Sequence, residues 1–180
     1  PKKKFSFTTV KINPSMAFGT GLHETTRLCL ESLSKIKYCG DDSFLDCGCG
    51  SGILGISAHL LGCKNITFVD NDDISLKIAK SNSIKNGCSL QSFFYFSSVS
   101  NSKNNFKYIY ANILLGPLKK LAPLLIKKLQ ISGTIVLSGI YKSQESSLKT
   151  CFFSKSNNNL RLKKINRLNN WTSIEFTKIR

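Results

Sequence analysis

The chain has 180 residues and a mass of 20.0 kDa, which suits one domain whose core needs neither disulfides nor metals. Its composition, 41% hydrophobic and 20% charged, is typical of a folded globular protein and excludes a disordered chain. The most apolar stretch, residues 43–63, contains Asp46, His59 and five glycines, so no transmembrane helix is predicted. No apolar segment follows the basic residues 1–4, so no secretory signal is predicted either.

The formal net charge of +16 is distributed unevenly along the chain. Residues 1–100 hold 11 basic and 8 acidic side chains, whereas residues 101–180 hold 15 basic and 2 acidic ones. This C-terminal excess suits contact with RNA, a ribosome or another acidic surface. Lys far outnumbers Arg, and Asn and Ser are abundant. Compositional drift in an AT-rich genome therefore explains the charge as well, and both interpretations stay open.

Seven cysteines, an odd number, occur without a Cys-x-x-Cys pair. The closest two, Cys47 and Cys49, have no cluster of histidines to accompany them, so we expect no structural zinc or other metal. Reduced, buried thiols are typical of a reducing compartment, and we therefore expect a cytoplasmic protein.

Strand-like and helix-like patterns alternate along most of the chain. Glycines at 62 and 87 are typical helix ends, Gly133 predicts a turn, and Pro123 is expected to kink or divide its helix. The predicted order is strand 44–46, helix 52–61, strand 65–70, helix 73–86, strands 93–96 and 108–113, helix 118–129, strand 134–138, helix 143–152, and strands 160–168 and 171–178.

This alternation predicts a doubly wound α/β sheet, mostly parallel, with an antiparallel C-terminal hairpin that turns at Asn169 and Asn170. Ligands of such sheets bind at the carboxyl ends of the strands, near the point where the strand order reverses. The candidate site residues of this chain follow predicted strands, so we expect them to meet at that edge.

A glycine-rich loop follows the first predicted strand and opens a helix, with Asp46, Gly48, Gly50 and Gly52 at alternate positions. Alone, such a loop can be a tight strand-to-helix turn. Asp70 ends the next strand, 22 residues after Gly48, where a carboxylate can accept hydrogen bonds from both ribose hydroxyls of a nucleoside. The leading acid disfavours phosphate, and the pattern is similar to the S-adenosylmethionine site of class I methyltransferases.

Asn112 ends the fourth predicted strand and is followed by Ile113 and Leu114. In many amino-group methyltransferases a polar residue at this strand end, within an N-P-P-Y type motif, holds the target nitrogen. That motif is absent here, and a lone Asn at a strand end can also be a turn or cap residue.

The segment 13–27 combines glycines, hydroxyls, an aromatic ring and a histidine just before a predicted helix. Thr25 or Thr26 can cap that helix, and His23 can be a structural hydrogen-bonding residue. The second histidine, His59, lies in an apolar helix, where we interpret it as a packed residue.

Four sequence blocks together resemble the ribosomal protein L11 methyltransferase (PrmA) family, from about Ile12 over nearly the whole chain. The chain departs from the family pattern at Glu24, where Pro is usual, and at Leu115, where Ala is usual. The blocks are Pro14-x-Met-Ala-Phe-Gly-Thr-Gly-x-His-x-Thr-Thr26, Asp46-x-Gly-Cys-Gly-Ser-Gly-Ile-Leu54, Ala111-Asn-Ile-Leu-x-Gly-Pro-Leu118 and Leu137-Ser-Gly-Ile140.

The resemblance implies a class I, Rossmann-like methyltransferase with a seven-stranded sheet and S-adenosylmethionine as cofactor. It implies transfer of methyl to lysine amines of ribosomal protein L11, with the terminal α-amine as a further candidate. The residues that match the family's cofactor site, with three neighbours from the glycine loop, are Thr26, Gly48, Asp70 and Asn112, and Asp46, Gly50 and Gly52.

For catalysis we expect Asn112, Phe18 and His23 to act together. A lysine amine must be neutral to attack, and an apolar pocket lowers its pKa. Phe18 is expected to line that pocket, and the Asn112 carbonyl oxygen to orient the amine. No base is evident, and solvent can accept the proton.

The family carries a separate N-terminal domain that grips the ribosomal protein. We therefore expect residues 1–12 to be a linker or remnant, ahead of a methyltransferase domain at 13–180. We also expect a monomer that contacts no membrane.

Two other interpretations remain open. One is an RNA or release-factor type amino methyltransferase of the same fold, against which Ile113 and Leu114 argue. The other is a non-catalytic domain that binds cofactor and RNA, against which the intact set of site residues argues.

Overall fold

The computed structural model describes residues 9–13, 21–88, 92–95 and 105–180, with the backbone alone at 92–95. Within this part, seven strands form one sheet in the order β3-β2-β1-β4-β5-β7-β6. β1 to β5 pair in parallel, and β7 is antiparallel to both β5 and β6, which confirms the predicted doubly wound sheet with a C-terminal hairpin. The strands are β1 (Ser43–Cys47), β2 (Asn65–Asp70), β3 (Ser92–Tyr95), β4 (Phe106–Asn112), β5 (Leu129–Tyr141), β6 (Leu160–Leu168) and β7 (Trp171–Lys178).

Five α-helices lie in the described part of the chain, and a 3-10 turn at Lys142–Gln144 precedes the last of them. Among these described helices, none combines the length and the apolar character that crossing a bilayer would require. The helices are α1 (Glu24–Leu33), α2 (Ile53–Leu60), α3 (Asp73–Lys85), α4 (Leu115–Lys128) and α5 (Glu145–Lys155).

Alternate strand residues pack on opposite faces of the sheet. Ile109 and Ala111 join the core beneath α4 and α5, whereas Tyr110 between them joins the core beneath α1 and α2. The buried Tyr110 hydroxyl lies 2.9 Å from Oγ of Ser32 in α1, so that its polar end is satisfied. Because both faces of β4 are covered, its sequence is apolar at consecutive positions.

Pro123 and Gly133 both lie inside continuous elements. α4 runs through Pro123 as a single helix, so the proline does not divide it, whereas the predicted kink stays a prediction. Proline removes the hydrogen bond to the Lys119 carbonyl, and Sγ of Cys151 approaches that carbonyl instead, at 4.0 Å. β5 begins at Leu129, so Gly133 lies inside a strand rather than at a turn. A Cβ at 133 would come 2.8 Å from the Gln130 carbonyl oxygen of the same strand and 2.9 Å from the Lys107 carbonyl oxygen of β4, so both close approaches account for this glycine.

Candidate functional site

A cavity of about 530 Å³ opens at the carboxyl ends of the parallel strands, within the range of roughly 300–1,000 Å³ that is usual for small-molecule sites. The loop after β1 and the end of β4 border it, and these neighbouring strands mark the switch point of the sheet. The lining residues are His23, Thr25, Thr26, Asp46, Gly48, Cys49, Gly50, Ile53, Leu54, Asp70, Asn71, Ser75, Asn112, Ile113, Leu114, Pro117, Leu121, Gly139 and Trp171.

The glycine loop is fixed to the end of β2. The N–H groups of Gly48 and Cys49 both donate to the Val69 carbonyl, at 2.8 and 3.0 Å. Gly48 has a φ of +74°, and a Cβ there would overlap Cγ2 of Ile113. Glycine at 48 is therefore required by the backbone conformation and by the packing of Ile113, before any ligand is considered.

Gly50 and Gly52 have different surroundings. Gly50 lines the cavity, and its N–H donates to Oδ2 of Asp70 at 3.0 Å. Gly52 is the N-cap of α2 with a φ of +81°, and a Cβ there would come 3.1 Å from Cβ of Ala79 in α3. The structure thus brings Gly48 and Gly50 into the cavity wall, whereas Gly52 serves the contact between the loop and α3.

Asp46 lies beneath the loop with 1% of its surface exposed. Its Oδ2 accepts a hydrogen bond from the N–H of Gly55, in the first turn of α2, at 2.8 Å, where a carboxylate interacts favourably with the helix dipole. Burial raises the pKa of Asp46 to about 7, the Gly55 hydrogen bond opposing this shift and the charge of Asp70 adding to it. This carboxyl group therefore changes its protonation state near neutral pH.

Asp70, at the end of β2, is held by three backbone N–H groups. Oδ2 accepts from Gly50 at 3.0 Å, and Oδ1 accepts from Asn71 and Asp72 at 2.8 and 3.1 Å. A carboxylate offers about four lone-pair positions, so these bonds leave one position, on Oδ2. In this arrangement one acceptor position remains on Oδ2, and the contact with both ribose hydroxyls stays a prediction.

Asn112 ends β4 opposite Thr26 of α1, and Thr26 is buried, with 1% of its surface exposed. Nδ2 of Asn112 donates a hydrogen bond to Oγ1 of Thr26 at 3.3 Å. Its Oδ1 is buried, and none of the residues that the structure describes donates a hydrogen bond to it. Because an unsatisfied buried acceptor costs about 1–3 kcal/mol, we expect a ligand to supply the missing donor.

His23 begins α1 and forms one side of the cavity. Its Nδ1 accepts from the N–H of Thr25 at 3.3 Å and lies 2.9 Å from Oγ1 of the same residue. The cap of α1 is therefore His23, and neither Thr25 nor Thr26, which the sequence allowed as caps, has this role. The other ring nitrogen, Nε2, lies 3.9 Å from Oε2 of Glu24.

The β6–β7 hairpin holds this end of α1 in place. The edge of the His23 ring packs against Trp171, with centroids 4.8 Å apart, and Trp171 stacks on Tyr141 at 4.2 Å. Nδ2 of Asn169 donates to Oε1 of Glu24 at 3.0 Å. The C-terminal hairpin thus contributes Trp171 to the cavity wall, a role that no sequence pattern predicted.

Much of the remaining wall is apolar, and part of it comes from the block that follows β4. Ile113, Leu114 and Pro117 belong to the block 111–118 that carries the family resemblance. That block could have indicated these three wall residues, none of which was predicted as a site residue. Phe18, expected to be catalytic, lies outside the described residues. His59 does not line the cavity, as its interpretation as a packed residue requires.

The cavity carries acidic charge. Asp46 and Asp70 line it, and no Lys or Arg is among its lining residues in the described part of the chain. Within the same residues, no group of three or more His, Cys, Asp or Glu side chains is placed to hold a metal ion. All seven cysteines lie in the described ranges as free thiols.

The sequence matches one family along nearly its whole length. The sequence model described as "Ribosomal protein L11 methyltransferase (PrmA)" matches residues 2–179. A Shewanella baltica (strain OS195) protein named Ribosomal protein L11 methyltransferase is 38% identical over 146 residues, which cover 81% of this chain and 49% of that protein. The chain therefore spans about half the length of the curated relatives it matches.

Solved structures share the fold. The ribosomal protein L11 methylase from Lactobacillus delbrueckii subsp. bulgaricus has a TM-score of 0.84 at 28% identity, covering 95% of this chain and 86% of that one. An RNA methyltransferase from Salinibacter ruber, in complex with S-adenosyl-L-homocysteine, has a TM-score of 0.62 at 16% identity, covering 86% and 92%. At that identity the likeness concerns the fold alone.

Proposed function

Because the chain belongs to the ribosomal protein L11 methyltransferase (PrmA) family, we propose that it transfers methyl from S-adenosylmethionine to amines of ribosomal protein L11. The acceptors proposed are lysine ε-amines, with the terminal α-amine as a further candidate. The methyltransferase domain is proposed to span 13–180 and to act in the cytoplasm, with residues 1–12 as the connection ahead of it.

The charge of the cavity carries this proposal. The protein has a formal net charge of +16, yet Asp46 and Asp70 line the cavity, and no Lys or Arg does so within the described residues. A dinucleotide would find no cation there for its phosphates. S-adenosylmethionine carries a sulfonium and an ammonium group beside one carboxylate. The acidic side chains of the cavity attract the two cationic groups, Asp46 only in its ionised form.

The surrounding residues fit this cofactor. Asp70 retains one acceptor position, on Oδ2, for a ribose hydroxyl. Gly48 and Gly50 expose backbone at the cavity wall for the amino-acid part, close to the buried Asp46. Thr26 lies against Asn112 on the opposite side. When bound, the cofactor supplies a methyl group that its sulfonium already activates, so the protein has mainly to position and desolvate the reactants.

The protein must also present a neutral amine. A free lysine has a pKa near 10.4, so holding it neutral at pH 7 costs roughly 4.6 kcal/mol at 1.36 kcal/mol per pH unit. The apolar surfaces of Leu114, Pro117 and Trp171 disfavour the ammonium form and so lower the pKa of a lysine that enters. Phe18 is proposed to extend this apolar surface.

Asn112 is proposed to hold the attacking nitrogen. Its buried Oδ1 lacks a donor among the described residues, and a neutral amine offers N–H groups that satisfy it while the lone pair points elsewhere. His23 is proposed to support the reaction from the rim of the cavity, through Nε2, with solvent as the final proton acceptor.

The C-terminal half is proposed to contact RNA on the ribosome. Its only two acids are engaged: Glu145 accepts from Arg167 at 2.7 Å, and Glu175 lies 4.0 Å from Lys163. Arg161 and Lys164 are exposed on the edge strand β6. We expect RNA binding to weaken steeply as salt rises.

Calorimetric titration tests the cofactor proposal directly. We expect the 180-residue chain to bind S-adenosylmethionine at one site and to show no binding of NAD at the same concentrations. Preference for NAD, or absence of binding of S-adenosylmethionine, would contradict the proposed function.

A further inference from the structure

Two asparagines, Asn82 on α3 and Asn86 at its C-cap, bond to the backbone of Lys11 and Asn13. Asn86 Oδ1 accepts from the N–H of Lys11 at 2.9 Å, and its Nδ2 donates to the Lys11 carbonyl at 2.8 Å. One helical turn earlier, Asn82 Oδ1 accepts from the N–H of Asn13 at 3.1 Å. The two side chains thus bind alternate residues of the incoming chain.

The spacing of these contacts suits an extended segment. Two residues of extended chain span about 6.6 Å, and four residues of helix rise about 6.0 Å. The distance between positions 11 and 13 therefore matches the distance between positions 86 and 82. Val10 and Ile12 pack against the core formed with α1 and α2. The segment therefore lies along α3, with Val10 and Ile12 packed toward the core and its backbone bonded to Asn82 and Asn86.

Asn82 also reaches the glycine loop. Its Nδ2 donates to the Ser51 carbonyl at 3.0 Å, and Asn82 is 0% exposed. An N–H on one side and a carbonyl on the other fix which amide atom faces which partner. One planar, fully buried group therefore joins the incoming segment to the loop that lines the cavity.

A second contact couples α3 to the same loop. A Cβ on Gly52 would come 3.1 Å from Cβ of Ala79, three residues before Asn82 on the helix, so the loop and α3 pack closely with little space between them. A change in the orientation of the Asn82 amide is thus transmitted to Ser51 rather than absorbed.

We propose that Asn82 is a positioning residue, which couples the packing of residues 9–13 against α3 to the position of the Ser51 carbonyl. When this segment is packed against α3, the cavity has a higher affinity for S-adenosylmethionine. This inference rests on the proposed function. The inference adds to the proposed function a route by which residues 9–13 control cofactor binding without contacting the cofactor.

A matched pair of substitutions at position 13 tests the coupling. Asn13→Pro removes the backbone N–H that donates a hydrogen bond to Oδ1 of Asn82. Asn13→Ala keeps that N–H and removes only the side chain, whose Oδ1 accepts from Nζ of Lys85 at 2.6 Å. Asn82→Ala removes both bonds of the amide, and Lys80→Ala, on the exposed side of the same helix, is a neutral control. Calorimetry with S-adenosylmethionine and the unfolding midpoint are measured for each.

We expect Asn13→Pro to bind at least about threefold more weakly than Asn13→Ala, and Asn82→Ala at least about tenfold more weakly than the parent, on the scale of a lost buried hydrogen bond. The double variant that combines Asn13→Pro with Asn82→Ala is expected to bind no more weakly than Asn82→Ala alone. The Gly52 amide, bonded to the Cys49 carbonyl at 2.7 Å, is expected to exchange faster in Asn13→Pro than in Asn13→Ala.

Equal affinities of the two position-13 variants would overturn the coupling, and so would fully additive effects in the double variant. If Asn82→Ala does not fold, the position-13 pair decides the matter alone. Failure of the parent chain to bind S-adenosylmethionine would instead contradict the proposed function, so the two failures are distinct.

Discussion

Asn112 and Thr26, separated by 86 positions in the sequence, are joined by a hydrogen bond of 3.3 Å from Nδ2 to Oγ1. This bond connects the end of β4 to the first turn of α1, with Nδ2 facing Thr26 and Oδ1 directed away from it. Oδ1 is the buried acceptor to which none of the described residues donates. We propose this acceptor as the centre of the site.

Replacing Asn112 is expected to separate catalysis from binding. Asn112→Ala should lower the rate of methyl transfer at saturating cofactor at least about a hundredfold, because the attacking amine loses the acceptor that positions it. Asn166→Ala, which removes an amide bonded to Glu175 at 3.2 Å on β6, is the control and should leave the rate unchanged. Single-turnover methylation measures both. An unaltered rate in Asn112→Ala would remove this residue from the mechanism.

Asp70 and Asp72 provide a matched pair for the ribose assignment. Asp70→Ala should weaken S-adenosylmethionine binding by about 1.5–3 kcal/mol, the usual value of a hydrogen bond to a charged group. Asp72 caps α3 through Ile74 and Ser75, so Asp72→Ala should lower stability by about 1 kcal/mol and leave affinity unchanged. Equal affinity losses in the two variants, measured by calorimetry, would contradict the assignment.

The sequence was sufficient for the order of strands and helices and for the residues at strand ends, because these depend on local pattern and on the rules of parallel sheets. It was insufficient where distant contacts decide. The contacts of α1 with Trp171 and Asn169 come from the far hairpin. The contact of Cys151 with the Lys119 carbonyl beside Pro123 comes from α5, and no local pattern indicates it.

Gly48 illustrates the same limit and gives a further prediction. Gly48→Ala should destabilise the protein by roughly 2–5 kcal/mol, which combines a left-handed backbone cost of about 1–2 kcal/mol with overpacking of about 1–3 kcal/mol. Adding Ile113→Ala should restore part of this loss, because Cγ2 of Ile113 occupies the space that the new Cβ needs. Urea unfolding measures both. If Ile113→Ala instead increases the destabilisation, a clash with the Ile113 side chain is not the reason that position 48 requires glycine.

Asp46 should give stability a measurable pH dependence. Its pKa is about 7 in the folded chain and about 3.9 when unfolded. Between these values the unfolded chain has released the proton that the folded chain still binds, so the free energy of unfolding falls as pH rises and levels off above about pH 7.

Asp46→Asn has no proton to release at this position. Relative to the parent, its free energy of unfolding should therefore improve with rising pH, by at most about 4 kcal/mol between pH 4 and pH 8. Urea unfolding across this range is the measurement, with Asp41→Asn on an exposed turn as control. If the difference in the free energy of unfolding between Asp46→Asn and the parent does not change with pH, the pKa of Asp46 is not raised in the folded chain.

The most direct measurement of the central claim is transfer of label from methyl-labelled S-adenosylmethionine to purified ribosomal protein L11, located by mass spectrometry. It is made with the 180-residue chain and with the same chain extended by the N-terminal domain of a relative. We predict label on amine nitrogens of L11, stronger with the extended chain and lost with Asn112→Ala in either. Label on RNA instead, or none on L11 from an extended chain that binds the cofactor, would contradict the proposed reaction.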